Sequence, residues 1–144
     1  MKLRIPKGIY DAMIEHCRVG LPNEACGFLA GANDAATKFY PLTNAAASPV
    51  YYRPDDKEML RAMTDIDDSG LELVAIFHSH VASAPHPSTT DVREAHYPDA
   101  VYLIVSLSEF DEPEARGWRI KKADWRDETG EISEVELVVS SDDG

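Results

Sequence analysis

The chain has little cysteine, little positive charge and no long apolar run. It contains two cysteines, Cys17 and Cys26, and 14 basic against 26 acidic side chains, for a net charge of −12. With so few cysteines, we expect two reduced, buried thiols rather than a disulfide or a metal role. A net negative charge repels duplex nucleic acid and anionic membranes, so neither is an expected partner.

No segment approaches the roughly 20 consecutive apolar residues that a membrane-spanning helix needs. The N-terminal sequence MKLRIPKGIY lacks the apolar core of a signal peptide, and we therefore expect a cytoplasmic protein. The length predicts one domain over residues 1–144, with disorder in the tail at about 140–144. The acidity suggests a host with high internal salt, although charge alone does not separate this hypothesis from a basic partner.

The hydrophobic pattern predicts an α/β fold in which helices flank a mixed β-sheet. Helices are predicted where apolar residues recur every three to four positions, and strands where apolar residues run together. The predicted helices span residues 6–17, a segment that starts after Pro54 and ends by Gly70, and residues 89–95. The predicted strands span residues 27–30, 38–42, 71–77, 101–107, 118–125 and 132–139. Residues 44–49 (NAAASP) are predicted to form a loop that fringes a cleft.

Two histidines follow the most continuous apolar run of the chain. Residues 71–77 (LELVAIF) lead directly into His78, Ser79 and His80. Such a run predicts a buried strand. Because alternate residues of a strand point to the same face, His78 and His80 should project side by side while Ser79 turns away.

A serine and an aspartate come next at a fixed interval. Seven residues separate His80 from Ser88, and Asp91 follows at the start of a predicted helix. That helix start can bring Asp91 back toward the histidines. Two imidazoles and one carboxylate leave the fourth tetrahedral position for water, which is typical of catalytic zinc. Ser88 and Asp91 also fit a helix N-cap with an acidic first turn, which needs no metal but is compatible with one.

Far upstream, an acidic residue precedes a short apolar segment. Glu24 stands just before the predicted strand at residues 27–30. A zinc hydrolase needs a carboxylate that is not a metal ligand, so that it can take a proton from water and deliver it to the leaving amine. Glu24 is the candidate for that role.

Taken together, these five residues resemble the signature of the JAMM metalloproteases, also called MPN-plus domains. The resemblance covers roughly residues 1–125 and is closest to the short, single-domain bacterial members. It implies a cytidine-deaminase-like α/β fold and one zinc per chain. It also implies roles: Glu24 as general base, Ser88 as a helper for the oxyanion, and as zinc ligands His78, His80 and Asp91.

The resemblance implies a zinc-dependent metallopeptidase or isopeptidase. Its expected substrate is a peptide or isopeptide bond after the C-terminal glycine tail of a small ubiquitin-like or sulfur-carrier protein. The alternative is a non-catalytic MPN-type module that binds such a tail, which the complete residue set disfavours. A nucleoside-type deaminase is excluded because the chain has no Pro-Cys-x-x-Cys motif. The sequence predicts no particular oligomeric state.

Two loop residues depart from or add to the family pattern. Val81 stands where family members commonly carry proline, and we expect it to alter loop stiffness rather than chemistry. His86 lies inside the seven-residue spacer. We predict a substrate-loop or surface role for His86, because a fourth ligand would close the position that catalysis needs.

Overall fold

The computed structural model describes residues 1–141. These residues form three helices and seven strands. The helices are α1 (Lys7–Gly20), α2 (Asp56–Asp68) and α3 (Thr89–Arg93). The strands are β1 (Lys2–Pro6), β2 (Cys26–Ala32), β3 (Ala35–Leu42), β4 (Glu72–His80), β5 (Val101–Ser106), β6 (Glu114–Lys121) and β7 (Glu131–Ser140).

The seven strands form one mixed sheet that closes into a barrel in the order β1-β3-β2-β4-β5-β6-β7. Strand β1 runs parallel to both β7 and β3, and β4 runs parallel to β5; the other neighbours are antiparallel. Between β1 and β3 the pairing is brief, with Arg4 opposite Ala35. The predicted α/β class with a mixed sheet is confirmed, and closure into a barrel is a feature that the sequence pattern did not predict.

In this closed sheet, strand β4 lies between β2 and β5. Its register places His78 opposite Cys26 on β2 and opposite Ile104 on β5, while His80 pairs with Ser106. Cys26 comes two residues after Glu24, so the antiparallel pairing of β2 and β4 brings the segment of Glu24 to the end of β4 that carries the histidines.

Side chains of β4 alternate between two apolar clusters on opposite faces of the sheet. Ala75 and Phe77 belong to the α1-side cluster, which includes Met13 and Cys17 of α1. Ile76 belongs to the α2-side cluster, which also contains buried residues of α2 and α3. Because apolar residues cover both faces, β4 has the continuous hydrophobic sequence of a fully buried strand.

The N-terminal strand β1 was not predicted, and helix α1 runs three residues beyond the predicted end at residue 17. Leu3 and Ile5 alternate with exposed residues and are buried in the α1-side cluster. Their main partner is β7, at the other end of the chain. A five-residue segment with so distant a partner carries too weak a local signal to be recognised as a strand.

The prediction for β6 was shifted by four residues, because the strand spans Glu114–Lys121 rather than residues 118–125. Its first half contains charged side chains that lie on the solvent-facing side. Arg116 contacts Glu114 at 2.9 Å and Glu134 of β7 at 3.2 Å. The aromatic residue Trp118 therefore lies inside the strand rather than at its start. The exposed charged residues at the start of the strand form no apolar run, so the sequence pattern did not reveal this part of the strand.

Two other boundaries concern shorter segments. Helix α3 ends at Arg93 rather than at residue 95. The tail prediction at residues 140–144 falls mostly on residues 142–144, which lie outside the described residues, while Ser140 ends β7. Within residues 1–141, no helix is both long enough and apolar enough to cross a bilayer.

Candidate metal centre

The end of β4 carries two buried histidines on one face of the strand. His78 is 1% exposed and His80 is 5% exposed. Their ring centroids are 5.0 Å apart. Ser79, between them, is fully buried, and its Oγ accepts a hydrogen bond from the Ala25 N–H at 2.8 Å. The strand therefore presents two imidazoles to one side and a satisfied hydroxyl to the other.

Asp91 reaches the histidines because Ser88 begins helix α3. Ser88 is the N-cap: its Oγ accepts from the Asp91 N–H at 3.0 Å, and its own N–H donates to Asp91 Oδ2 at 2.9 Å. This reciprocal capping box fixes the carboxylate. Asp91 Oδ2 lies 3.0 Å from His80 Nε2, and Oδ1 lies 3.2 Å from His78 Nε2. The hydrogen bonds that cap helix α3 therefore also hold the Asp91 carboxylate next to the histidines.

His78, His80 and Asp91 can each offer one ligand atom, and these three atoms lie within 4.8 Å of one another. Both ring nitrogens of His78 are buried and have no hydrogen-bond partner among residues 1–141, although Nε2 lies 3.2 Å from Asp91 Oδ1. An unsatisfied buried polar atom is costly in a folded protein. A cation bound by the imidazoles and the carboxylate would remove that cost, so this donor set fits a divalent metal.

The second histidine is oriented for the same task. His80 Nδ1 lies 2.8 Å from the Ala84 carbonyl, which can only accept, so Nδ1 carries the proton. Nε2, which lies 3.0 Å from Asp91 Oδ2, is therefore the ring nitrogen that faces the space surrounded by the three ligand atoms. A backbone acceptor on the distal nitrogen is the usual way in which proteins fix the tautomer of a metal-binding histidine.

Burial and mutual contact shift the titration of this group. Burial raises the pKa of Asp91, but the adjacent imidazoles of His78 and His80 outweigh burial and hold the pKa well below the usual range. Burial lowers the pKa of His80, and the hydrogen bonds to Asp91 and to the Ala84 carbonyl reverse the shift, so that the pKa is raised. Asp91 is consequently ionised at neutral pH, which is the state that a metal ligand requires.

Glu24 lies beside this group, immediately before β2. Its side chain is 7% exposed. Burial raises the pKa of Glu24 to about 7, with His80 acting to lower it and the charge of Asp91 acting to raise it. A carboxylate with a pKa near the working pH is well matched to general acid–base catalysis. The structure thus brings together all five residues that the sequence singled out.

Sequence reasoning missed Tyr52, which is also part of this region. The Tyr52 ring stacks on the ring of His78, with centroids 4.5 Å apart and planes 19° apart. Tyr52 belongs to the loop that follows β3 and leads into α2. The aromatic pair of Tyr51 and Tyr52 just before a predicted helix was the available signal, but an aromatic pair more often indicates core packing.

The loop between His80 and Ser88 is fastened to the sheet at three consecutive carbonyls. The carbonyls of residues 83–85 accept from Ser106 Oγ at 2.7 Å, His80 Nδ1 at 2.8 Å and Trp118 Nε1 at 2.9 Å, respectively. Side-chain donors from three strands therefore define the course of this loop, in which Val81 replaces the proline common in the JAMM family.

His86 sits on the outer side of the same loop. Its side chain is exposed, its ring packs edge-on against Trp118 with centroids 4.8 Å apart, and its Nδ1 lies 3.1 Å from the Pro87 carbonyl. His86 does not belong to the group of possible metal ligands found in residues 1–141. Its use in substrate contact stays a prediction.

The two cysteines lie in the apolar interior, as expected. Cys17 and Cys26 are buried free thiols. Burial raises the pKa of Cys17 to about 12, and it raises the pKa of Cys26 to about 12 as well. Neither thiol belongs to the His78, His80 and Asp91 group.

Residues 6–121 match the family described as prokaryotic homologs of the JAB domain. The chain belongs to this family. The resemblance to the JAMM type is therefore confirmed, in its short prokaryotic form. The predicted enzyme class, a hydrolase of the JAMM type, is confirmed as well by relatives that are named CysO-cysteine peptidase and desampylase.

Two curated relatives cover most of this chain. The CysO-cysteine peptidase of Mycobacterium tuberculosis is 41% identical over 120 residues, which is 82% of each chain. The desampylase of Haloferax volcanii is 38% identical over 112 residues, covering 73% of this chain and 81% of the relative. Among solved structures, a JAB1/MPN domain protein from Archaeoglobus fulgidus has the same fold. It is 20% identical with a TM-score of 0.60, covering 96% of this chain and 99% of that one.

Proposed function

We propose that the protein is a zinc-dependent peptidase that cleaves the bond following the C-terminal glycine tail of a small sulfur-carrier or ubiquitin-like protein. The observation that carries the proposal is the group of His78, His80 and Asp91 beside Glu24, in which the buried imidazole of His78 has no hydrogen-bond partner within the described part of the chain. The names of two relatives, CysO-cysteine peptidase and desampylase, support this substrate class.

The proposed zinc ligands are His78, His80 and Asp91, with one ion per chain. An imidazole, imidazole and carboxylate set is typical of zinc in hydrolases and leaves one position open. When bound, zinc supplies Lewis acidity that acidifies water and polarises the scissile carbonyl. The hydrogen bonds of Asp91 to the Ser88 N–H and of His80 to the Ala84 carbonyl hold two of the ligands ready for it.

Glu24 is the proposed general base. Its carboxylate takes a proton from the attacking water and passes it to the amine as the carbon–nitrogen bond breaks, so the same proton leaves with the product. A pKa raised to about 7 by burial suits both halves of this transfer. Glu24 needs no metal contact for the role, because the ligand set is complete without it.

Ser88 is the proposed donor to the developing oxyanion. Its Oγ already accepts from the Asp91 N–H, so the hydroxyl proton remains available to a substrate oxygen. The side chain is exposed at the first turn of α3, where a substrate can reach it. A fixed hydroxyl donor is worth most when the charge on the oxygen appears only in the transition state.

The carrier protein is expected to contribute affinity away from the reacting bond. The folded part of the carrier would add contacts that do not change during the reaction. Isolated tail peptides should therefore be poor substrates. The single domain over residues 1–144 and the cytoplasmic location stay predictions.

The test is cleavage of a sulfur-carrier protein that bears a C-terminal cysteine adduct, followed by intact mass with and without zinc. The expected result is loss of the cysteine by the zinc-loaded protein and no loss with Glu24→Gln. Equal cleavage of unrelated unfolded proteins would indicate a general peptidase. If the zinc-loaded protein bound glycine-tailed carriers but cleaved none, the non-catalytic binding module would be the better description.

A further inference from the structure

The position of Glu24 is fixed through its main chain. Its carboxylate makes no hydrogen bond to any residue that the structure describes, whereas both of its peptide groups are bound. The Glu24 N–H donates to the Ser48 carbonyl at 2.9 Å. The Glu24 carbonyl accepts from Asn44 Nδ2 at 2.9 Å. Both partners belong to one loop, residues 44–53, which we name the base loop. The direction of the Glu24 side chain thus depends on how this loop is held.

Asn44 is the residue that holds the base loop together. Its Nδ2 donates to the carbonyls of Glu24 and Tyr51, each at 2.9 Å. Its Oδ1 accepts from the N–H groups of Ala46 and Arg53, each at 3.0 Å. Four hydrogen bonds exhaust the capacity of one side-chain amide. Two carbonyls on one side and two N–H groups on the other also settle which atom is nitrogen.

The base loop also contacts the metal half of the site. Tyr52, between two residues bound by Asn44, stacks on His78 with ring centroids 4.5 Å apart. The next residue of the chain after Glu24 is held from the opposite side, because Ser79 bonds both peptide groups of Ala25. Glu24 therefore lies between strand β4, which carries the histidines, and the base loop, whose conformation depends on Asn44.

We propose that Asn44 is a positioning residue for Glu24: its amide couples the shape of the base loop to the placement of the general base. The proposal rests on the function proposed above, since it assumes that Glu24 moves the proton. The four side-chain hydrogen bonds of Asn44 go to Glu24 and to the base loop, and none of them goes to the three ligand residues. Its effect is on geometry, and a displacement of about 1 Å at a reacting group can cost about 10²-fold in rate.

The decisive substitution is Asn44→Asp. Asp has the same shape and keeps the acceptor for Ala46 and Arg53, but it turns a donor into an acceptor that faces the carbonyls of Glu24 and Tyr51. The hydrogen bonds from the Ala46 and Arg53 N–H groups should therefore survive, while the hydrogen bonds to the Glu24 and Tyr51 carbonyls are lost. Asn44→Ser is the second variant: its short hydroxyl adds no charge and can still accept from the Ala46 N–H, as Ser48 does from Val50.

Three measurements separate positioning from a merely structural role. We expect Asn44→Asp and Asn44→Ser to lower kcat about 10- to 100-fold with KM changed by less than about threefold. Zinc affinity, measured by chelator competition, should stay within about threefold, because β4 and α3 supply the ligands. Amide hydrogen exchange should accelerate about tenfold or more at Glu24 and across the base loop, but not along β4.

Asn23→Asp is the matched control. It places the same new charge next to Glu24, and the Asn23 side chain makes no hydrogen bond to a residue of the described chain, so kcat and exchange should stay near wild type. Unchanged kcat and exchange in both Asn44 variants would overturn the proposal. The proposal would also be overturned if kcat, zinc affinity and melting temperature all fell together in the Asn44 variants, because that pattern indicates general destabilisation.

The exchange measurement does not depend on the substrate. If wild-type protein cleaves no carrier but exchange at Glu24 responds to Asn44 as expected, the proposed function fails while the coupling stands. If wild-type protein cleaves and exchange at Glu24 is indifferent to Asn44, the coupling fails while the function stands.

Discussion

At the end of β4, the buried polar side chains on the two faces of the strand differ in their hydrogen bonding. On the α1 side, the Ser79 hydroxyl bonds the Ala25 N–H at 2.8 Å and is fully buried. On the α2 side, one position earlier, both nitrogens of His78 are buried and accept or donate no hydrogen bond within residues 1–141. The hydrogen bond of Ser79 stabilises the fold, whereas the unpaired imidazole of His78 is accounted for by the metal that we propose it binds.

The largest difference should be seen when one polar residue on each face of β4 is substituted in turn. His80→Ala deletes a proposed ligand, so we expect zinc to fall from one per chain to near zero and turnover to be lost with it. Ser79→Ala, one residue away, should keep zinc but lower the free energy of unfolding by about 1–3 kcal/mol, because the Ala25 N–H loses its partner. Elemental analysis of protein purified without chelator and denaturant titration measure the two effects. Full zinc occupancy in His80→Ala would remove His80 from the ligand set.

The second contrast separates the base from the ligands on the α2 side. Glu24→Gln keeps the size of the side chain and its main-chain hydrogen bonds but cannot take a proton. We expect zinc and fold to be retained and turnover to fall about 10²- to 10⁴-fold, the usual contribution of a positioned acid–base group. Zinc content and kcat on the same preparation test this. Loss of zinc would make Glu24 a ligand, and unchanged turnover would remove it from the mechanism.

Most of the site could be predicted because its residues are close in sequence and follow local geometry. Strand periodicity places His78 and His80 on one face, and the cap formed by Ser88 aims Asp91. Glu24 was found by chemical need and family resemblance. Asn44 was missed because a lone asparagine in a loop predicts only a turn, while its importance lies in a bond to a residue 20 positions away.

The fold shows the same limit. Strands with strong apolar runs, such as β4 and β5, were found near their true bounds, because both are buried on two faces. Strand β1 was missed and β6 was shifted, since their pairing depends on partners and ion pairs that local periodicity does not encode. Barrel closure follows from the β1–β7 pairing, which joins the two ends of the described chain.

A smaller effect is expected at Ser88, which belongs to both structure and proposed chemistry. Ser88→Ala removes the hydroxyl donor and the N-cap together, so turnover should fall about 10- to 10³-fold and stability by about 1 kcal/mol. Ser88→Thr keeps both groups and should recover most of both losses. Ser88→Gly costs an N-cap only a few tenths of a kcal/mol, so it should lose turnover with nearly normal stability. Parallel loss of rate and stability across all three variants would mean that Ser88 only caps α3.

The smallest effect should be at the thiols, which lie one on each face: Cys17 in the α1-side cluster and Cys26 in the α2-side cluster. Burial raises both pKa values to about 12, above the value near 8.5 for a free thiol. For an acid whose pKa is raised by folding, the contribution to the free energy of unfolding is complete below the unfolded pKa and is lost as pH rises toward the folded one.

Thiol reagents attack the thiolate, which a buried thiol with a raised pKa does not form at pH 8. At that pH we expect no reaction of the folded protein with a thiol reagent, and two reactive thiols per chain after unfolding in urea. Glutathione in the same buffer controls for the reagent. Rapid labelling of Cys26 alone would mean that the α2 side opens locally near the metal ligands, and the contrast between the two faces would then be one of mobility as well as of hydrogen bonding.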